Sequence, residues 1–280
     1  MSLTVTLVVL LAALLHAGWN FLVKRSDDKL MGMSAMVYGH IPYALLALVF
    51  VPLPAPAAWP WIIGSVLVHT GYQLFLHKAY HIGDLSQVYP LARGVAPLLV
   101  ALVSVGLIGE SLSLQEGLAV LLIGSGLILL ALLRSRDGHI DPKVGLLSLA
   151  TGLCIATYSS VDGIGARLAG SAIGYYSATS LINPLIWSVY LHFKRPGLVR
   201  VLFTRQLPFT LKAGFASYTA YAMVVWAFTQ APLALVTAMR ETSILFAMLL
   251  GVLLLKEPVG ARRLGAAAVI LSGVILLRLG

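Results

Sequence analysis

Long apolar runs follow one another along almost the whole chain, separated only by short polar connections. A membrane-spanning helix needs roughly 20 mostly apolar residues, because each residue advances the helix by about 1.5 Å through a hydrocarbon layer of about 30 Å. We identify ten such runs, at about 3–23, 32–52, 60–77, 85–109, 117–133, 144–163, 171–191, 208–227, 234–255 and 264–279. The sequence therefore predicts an all-α integral membrane protein with ten transmembrane helices and no soluble domain.

Composition supports a membrane protein and argues against other classes. Hydrophobic residues make up 59% of the 280 residues and charged residues only 10%, so lipid must cover the outside of the fold. A net charge of +9 would suggest a nucleic-acid partner in a soluble protein, but here most lysines and arginines lie in the short connections. We therefore expect no nucleic-acid partner, no metal and no cofactor. The single cysteine, Cys154, permits no internal disulfide.

The basic residues are divided unevenly between the two sets of connections. The connections that follow the first, third, fifth, seventh and ninth runs carry most of them, whereas the opposite set carries Arg167 and Arg278. Cytoplasmic connections are enriched in lysine and arginine. This distribution predicts that both chain termini face away from the cytoplasm.

The two halves of the chain resemble each other. Arg93 and Glu110 in residues 1–135 recur at the same spacing as Arg240 and Glu257 in residues 144–280, and Ser-Gly at 125–126 recurs at 272–273. Each half contains five predicted helices, an odd number, so the second half must enter the membrane with the opposite orientation. Two inverted five-helix repeats are typical of transporters, which bind their substrate near the midplane between the repeats.

The same regions carry a family resemblance. Residues 109–117 read Gly-Glu-Ser-Leu-Ser-Leu-Gln-Glu-Gly, followed by Gly-Ser-Gly at 124–126, and Lys-Glu-Pro at 256–258 precedes Ser-Gly-Val at 272–274. Both regions resemble the end of an EamA repeat in the drug/metabolite transporter superfamily. The resemblance covers essentially the whole chain. It implies a ten-helix carrier of metabolites, often amino acids or related compounds, in the bacterial inner membrane, without ATP hydrolysis.

Two further features of this resemblance bear on the chain. The segment His-Ala-Gly-Trp-Asn at 16–20, with Lys24, is similar to a branch of the family that occurs with phosphonate-utilisation genes. The family more usually has its termini in the cytoplasm, which is the opposite of the orientation that the charges of the connections predict.

Two arginines lie well inside predicted helices, Arg93 in the fourth and Arg240 in the ninth. A charged side chain at the bilayer centre costs about 2.5–3.5 kcal/mol on insertion scales, so it usually faces the interior of a bundle and has a function. Arginine recognises carboxylate, phosphate or phosphonate through two parallel hydrogen bonds. The alternative is that each arginine links helices, with Glu241 as a partner of either one.

Other polar and aromatic residues share helix faces with these arginines. In the first half, the spacings i, i+3 and i+4 group residues on the first, third and fourth helices. Together with two tyrosines of the second half they form the predicted substrate site: His16, Trp19, Asn20, Tyr72, Gln73, Tyr89, Arg93, Tyr158, Tyr221 and Arg240. The alternatives are hydrogen bonds between helices for the histidine and an interfacial belt for the tyrosines.

Acids and prolines complete the predictions. Asp162 and Glu241 lie within predicted spans near polar partners and are candidates for proton coupling. Pro90 and Pro97 are expected to interrupt the fourth helix and so to expose backbone carbonyls to a cavity. Ser-Leu-Gln-Glu at 113–116 has the spacing of a capping box, and Glu110 and Glu257 are expected to cap helix ends.

These observations favour a secondary transporter or facilitator for a small anionic or zwitterionic metabolite, working by alternating access within the bilayer. One chain can enclose the cavity, so a monomer suffices and a homodimer is compatible. An intramembrane enzyme acting on a lipid is one alternative, although clustered acids or a paired histidine motif are missing from the sequence. A drug exporter is another, although an exporter of cations would favour an acidic cavity.

Overall fold

The computed structural model describes residues 1–24, 28–82, 85–133, 141–256 and 260–279, and within these ranges helices are the only regular secondary structure. The helices are α1 Leu3–Lys24, α2 Lys29–Phe50, α3 Trp59–Ile82, α4 Leu85–Val103, α5 Leu114–Leu132, α6 Pro142–Leu168, α7 Ala172–Lys194, α8 Leu198–Thr204, α9 Leu207–Phe228, α10 Leu233–Arg240, α11 Ser243–Leu255 and α12 Ala261–Leu279. A 3₁₀ turn at Pro56–Ala58 precedes α3, and a π-helical turn at Ser104–Ile108 extends α4.

Six helical segments among the described residues are long and apolar enough to cross a membrane. They are Leu3–Asn20, Lys29–Phe50, Val88–Ile108, Leu114–Leu132, Pro142–Leu168 and Leu233–Leu254. The outer surface exposes large apolar side chains such as Phe50, Leu107 and Leu114, as expected where lipid replaces water. The chain is therefore an all-helical, membrane-spanning protein. The predicted runs at 60–77, 171–191, 208–227 and 264–279 coincide with α3, α7, α9 and α12, which are not among these six segments.

Local signals at helix ends act as expected where the structure describes them. The capping box is confirmed: Ser113 Oγ accepts from the backbone N–H of Glu116, and the Glu116 carboxylate accepts from the backbone N–H of Ser113. Glu110 accepts a hydrogen bond from the backbone N–H of Leu233, at 2.9 Å, and so caps the start of α10. Glu257 lies outside the described residues.

The expectation that two prolines interrupt the fourth helix is wrong. Pro90 and Pro97 lie within α4, which continues through both of them. The flanking helices α5 and α6 pack along α4 and support it, which explains why the lost backbone hydrogen bonds do not break it. The residues between the predicted runs 171–191 and 208–227 contain a short helix, α8.

The interruption lies instead in the predicted run 234–255, which is two helices. Between α10 and α11, the backbone N–H groups of Glu241 and Thr242 bond the carbonyls of Ala238 and Met239, three residues back. This tighter turn of helix places Arg240, Glu241 and Ser243 next to one another in the interior, where each is at most 2% exposed.

Helices from the two halves of the chain pack against each other throughout the bundle. α3 packs along α6, and α1 packs along α9. α2 contacts both α7 and α9, and α5 packs along α12 at one side of the molecule. This arrangement surrounds a central region with α1, α2, α3, α6, α7 and α9.

The connections gather at two ends of the bundle. At the terminal end, which holds both chain termini, Arg167 Nε donates to the Phe228 carbonyl, and Gln115 Nε2 donates to the Leu276 carbonyl. At the opposite end, which we call the basic end, Arg195 forms an ion pair with Asp28 at the start of α2. Most of the lysines and arginines among the described residues belong to the basic end: Lys29, Lys78, Lys143, Lys194, Arg195, Arg200, Arg205, Lys256, Arg262 and Arg263.

Candidate functional site

A polar cavity of about 70 Å³ lies inside the bundle, between helices of both halves. It has room for several water molecules, since each needs roughly 10–15 Å³ on this measure. Its lining residues come from α1, α2, α3, α6, α7 and α9: His16, Trp19, Met36, His40, His69, Tyr72, Gln73, Tyr158, Tyr176, Thr179, Ser180, Asn183, Ser217 and Tyr221. We call it the central cavity.

The structure brings the predicted site residues to this region in two layers. His16, Trp19, Tyr72, Gln73, Tyr158 and Tyr221 line the central cavity. Asn20 and Tyr89 belong to a hydrogen-bonded group beside it: Tyr89 Oη lies 3.0 Å from His16 Nε2, and Asn20 Nδ2 donates to Tyr89 Oη at 3.2 Å. Arg93, Arg240, Glu241 and Asp162 do not line the cavity and are buried behind its walls.

Arg93, Arg240 and Glu241 form a buried charged group that we call the arginine cluster. Arg93 Nε donates to Glu241 Oε2 at 2.5 Å, and Arg240 Nη2 lies 3.7 Å from Glu241 Oε1. Two guanidinium groups therefore share one carboxylate, which leaves one positive charge without a counter-ion inside the cluster. Arg240 Nε and Nη2 also have no hydrogen-bond partner, although the residue is 2% exposed.

His16 connects the arginine cluster to the central cavity. Arg93 Nη1 lies 2.9 Å from His16 Nε2, and Trp19 Nε1 lies 3.2 Å from His16 Nδ1. Arginine and indole nitrogens only donate, whereas a neutral imidazole accepts through one nitrogen. His16 can therefore satisfy only one of these two donors at a time, so one donor is left for another acceptor.

On the opposite wall, Tyr221 links the arginine cluster to Asp162. The Arg240 guanidinium lies 5.8 Å from the centre of the Tyr221 ring, a cation–π distance. The Tyr221 hydroxyl donates to Asp162 Oδ2 at 2.7 Å, and the Tyr175 hydroxyl donates to Oδ1 at 3.0 Å. His69, which lines the cavity, has its Nε2 4.0 Å from Asp162 Oδ2.

A pair of amides provides the third polar surface of the cavity. Gln73 Nε2 donates to Asn183 Oδ1 at 3.1 Å, and Asn183 Nδ2 donates to Thr70 Oγ1 at 3.3 Å. Gln73 Oε1 is buried and has no hydrogen-bond partner in the protein. This oxygen is an acceptor available to a donor group inside the cavity.

Several lining residues were not among the predicted site residues: Met36, His40, His69, Tyr176, Thr179, Ser180, Asn183 and Ser217. The spacing rule groups His69 with Tyr72 and Gln73, which follow it by three and four residues on the same face of α3, although the predicted site included only the latter two. The same spacing joins His40 to Tyr43 on α2, three residues later.

Comparisons with known proteins bear on the fold alone. No protein-family model and no curated protein matches the chain. A crystal structure whose description names no function superposes on the chain with a TM-score of 0.75 at 19% sequence identity, covering 100% of this chain and 98% of the other. The arrangement of helices therefore occurs in a protein of distant sequence.

Proposed function

We propose that this protein is a secondary carrier or facilitator that moves a small anionic or zwitterionic metabolite across a bacterial inner membrane. The observation that carries the proposal is a guanidinium group without a full counter-ion, Arg240, buried beside a polar cavity. Buried arginine is costly in a membrane, and it suits an anion such as a carboxylate, phosphate or phosphonate. Two buried arginines also argue against an exporter of cationic drugs, which would favour an acidic cavity.

The pattern of helix contacts supports two inverted five-helix repeats. If α1–α5 correspond to α6, α7, α9, α10–α11 and α12, then the contact of α3 with α6 corresponds to that of α9 with α1. The contacts of α2 with α7 and of α5 with α12 then each join equivalent helices. The first three helices of each half line the cavity, and the fourth of each supplies an arginine. This arrangement agrees with the resemblance to EamA carriers.

The size of the cavity supports alternating access. A space for several water molecules is too small for most metabolites, so loading requires the walls to separate. Rocking of one repeat against the other would widen the cavity towards one membrane face at a time. We infer that the conformation described is the constricted one.

Ligand binding by the purified protein tests the proposal. Thermal stability is measured across amino acids, organic acids, phosphonates and cationic drugs, because a ligand of the folded state raises its stability. We expect an anionic or zwitterionic compound to stabilise the protein and to undergo counterflow in proteoliposomes. Arg240→Gln, which keeps the pair of Arg93 with Glu241, should weaken binding at least tenfold, and Arg240→Lys should weaken it less. Stabilisation by cationic drugs alone, or unchanged binding in Arg240→Gln, contradicts the proposal.

A further inference from the structure

Asp162 is a completely buried carboxylate whose nearest hydrogen-bond donors are uncharged. Its two oxygens accept from the hydroxyls of Tyr175 and Tyr221, and its side chain is 0% exposed. Within the part of the chain that the structure describes, the only basic side chain within 4.0 Å of it is His69. A buried carboxylate without a cationic partner is strongly unfavourable, so a proton on or next to Asp162 would stabilise this arrangement.

His69 Nδ1 faces two oxygens of Ser65. It lies 3.0 Å from the carbonyl oxygen, which can only accept, and 3.2 Å from the hydroxyl, which can accept or donate. When Nδ1 carries the hydrogen and donates to the carbonyl, Nε2 of the neutral ring is an unprotonated acceptor, 4.0 Å from Asp162 Oδ2. Two acceptors at this distance repel each other, unless one of them carries a proton.

We propose that His69 and Asp162 together hold one proton, and that this proton exchanges with the central cavity through His69. The pair exists either as imidazolium and carboxylate or as imidazole and carboxylic acid, and both forms contain one proton. His69 lines the cavity, whereas Asp162 lies behind it. In a carrier, this proton would be the coupling ion. That second statement rests on the proposed transport function, whereas the existence of the proton site does not.

Charged and titratable groups from the neighbouring helices surround His69 and Asp162 and affect whether the pair holds a proton. Tyr158 of α6 stacks on the His69 ring at a centroid distance of 4.1 Å, and Tyr221 of α9 contacts it edge-on at 5.7 Å. Tyr175 and Tyr176 contribute from α7, and His40 from α2 lines the same cavity. Arg240 of α10, behind Tyr221, opposes a proton on His69, whereas Asp162 at 4.0 Å favours it.

Glu241 differs from Asp162 in its surroundings. Both of its oxygens face guanidinium groups, one at 2.5 Å from Arg93 and the other at 3.7 Å from Arg240. Two guanidinium groups already compensate the charge of this carboxylate, whereas no arginine or lysine among the described residues lies within 4.0 Å of Asp162. The structure thus favours Asp162 over Glu241 as the site of proton binding.

Spectroscopy of the purified protein without substrate tests the proton site at about pH 6.5, the ordinary pKa of histidine. Nitrogen NMR of labelled histidine, assigned with His69→Gln, detects an imidazolium, and infrared spectroscopy of labelled aspartate detects a buried carboxylic acid. We expect one of these signals in the wild type, its loss in Asp162→Asn, and its retention in His192→Gln, a change of an exposed histidine near the end of α7. A wild-type protein with neutral His69 and no protonated aspartate overturns the proposal, even where Asp162→Asn does not fold.

Proteoliposomes test coupling separately. We expect an inward proton gradient to raise wild-type uptake of the compound found by thermal stability several-fold, and the ratio to fall to about one in His69→Gln. A wild-type ratio of one overturns coupling and leaves the spectroscopic proton site in place. If the spectroscopy succeeds while no compound moves, the proposed transport function fails and the proton site stands.

Discussion

At the scale of single residues, Glu241 is the counter-ion on which two buried arginines depend. It is 0% exposed, and it lies between Arg93 and Arg240 because the helix tightens at this position. Arg240 and Glu241 lie in one turn, and Arg93 faces them from α4. Two arginines and one carboxylate give the cluster its net positive charge. Removing the carboxylate would leave two cations in the interior of a membrane protein.

We predict that Glu241→Gln destabilises the protein strongly. Breaking a buried ion pair by removing one partner costs about 3–5 kcal/mol, because the remaining charge stays buried. The measurement is reversible unfolding in mixed micelles, followed by circular dichroism. Glu116→Gln, in the exposed capping box of α5, is the matched control and should cost about 1 kcal/mol or less.

The double variant Arg93→Gln/Glu241→Gln distinguishes a specific pair from general damage. We expect its loss of stability to be smaller than the sum of the two single losses by at least about 1 kcal/mol, since contacting residues are not additive. Additive losses would show that Arg93 and Glu241 do not interact, and would contradict the cluster.

The sequence predicted part of this site for a clear reason. His16 and Trp19, and likewise Tyr72 and Gln73, share one face of a single helix, so spacing alone groups them. Asn183 hydrogen-bonds Gln73 across two helices, and that contact depends on how α7 is rotated against α3. Rotation is set by packing between helices, which no local pattern in a uniformly apolar sequence records.

At the scale of helices, the prolines of the sequence did not predict where a helix is interrupted. Glycines mark where two helices pack closely. Pro90 and Pro97 lie in the continuous α4, whereas the chain turns tightly at Glu241 and Thr242, where there is no proline. Two helices approach each other closely at Gly39 of α2 and Gly214 of α9. A Cβ atom on Gly214 would lie 2.2 Å from the Gly39 carbonyl oxygen.

We predict that Gly214→Ala forces α2 and α9 apart and lowers stability by about 1–3 kcal/mol, the usual cost of overpacking. The atoms that the new methyl group would meet belong to the backbone of α2. Backbone atoms cannot move aside as the end of a flexible side chain could, so the two helices must shift. Gly117→Ala is the matched control, because a Cβ there has nothing within 4 Å and alanine favours a helix. Apparent melting temperatures of the two variants provide the comparison, and equal values would contradict the close approach.

At the scale of the whole molecule, the two ends of the bundle differ in charge. Most of the positively charged connections lie at the basic end. At the terminal end, Arg167 Nη2 forms an ion pair with Glu110 Oε1 at 2.6 Å. Because the connections alternate between these ends along the chain, the asymmetry concerns the whole fold and not one loop. Such an asymmetry sets the orientation in the membrane, because cytoplasmic connections are enriched in lysine and arginine.

We therefore predict that the basic end faces the cytoplasm and that both termini face outward. The test uses single cysteines in a Cys154→Ser background, at the exposed positions Ser2→Cys on the terminal end and Arg205→Cys on the basic end. A membrane-impermeant maleimide applied to intact cells should label Ser2→Cys at once, and Arg205→Cys only after permeabilisation. The reverse pattern would place the termini in the cytoplasm, as the resemblance to EamA carriers implies. The arginines of the connections would then face the outer side, where they could attract an anionic substrate before it reaches the cavity.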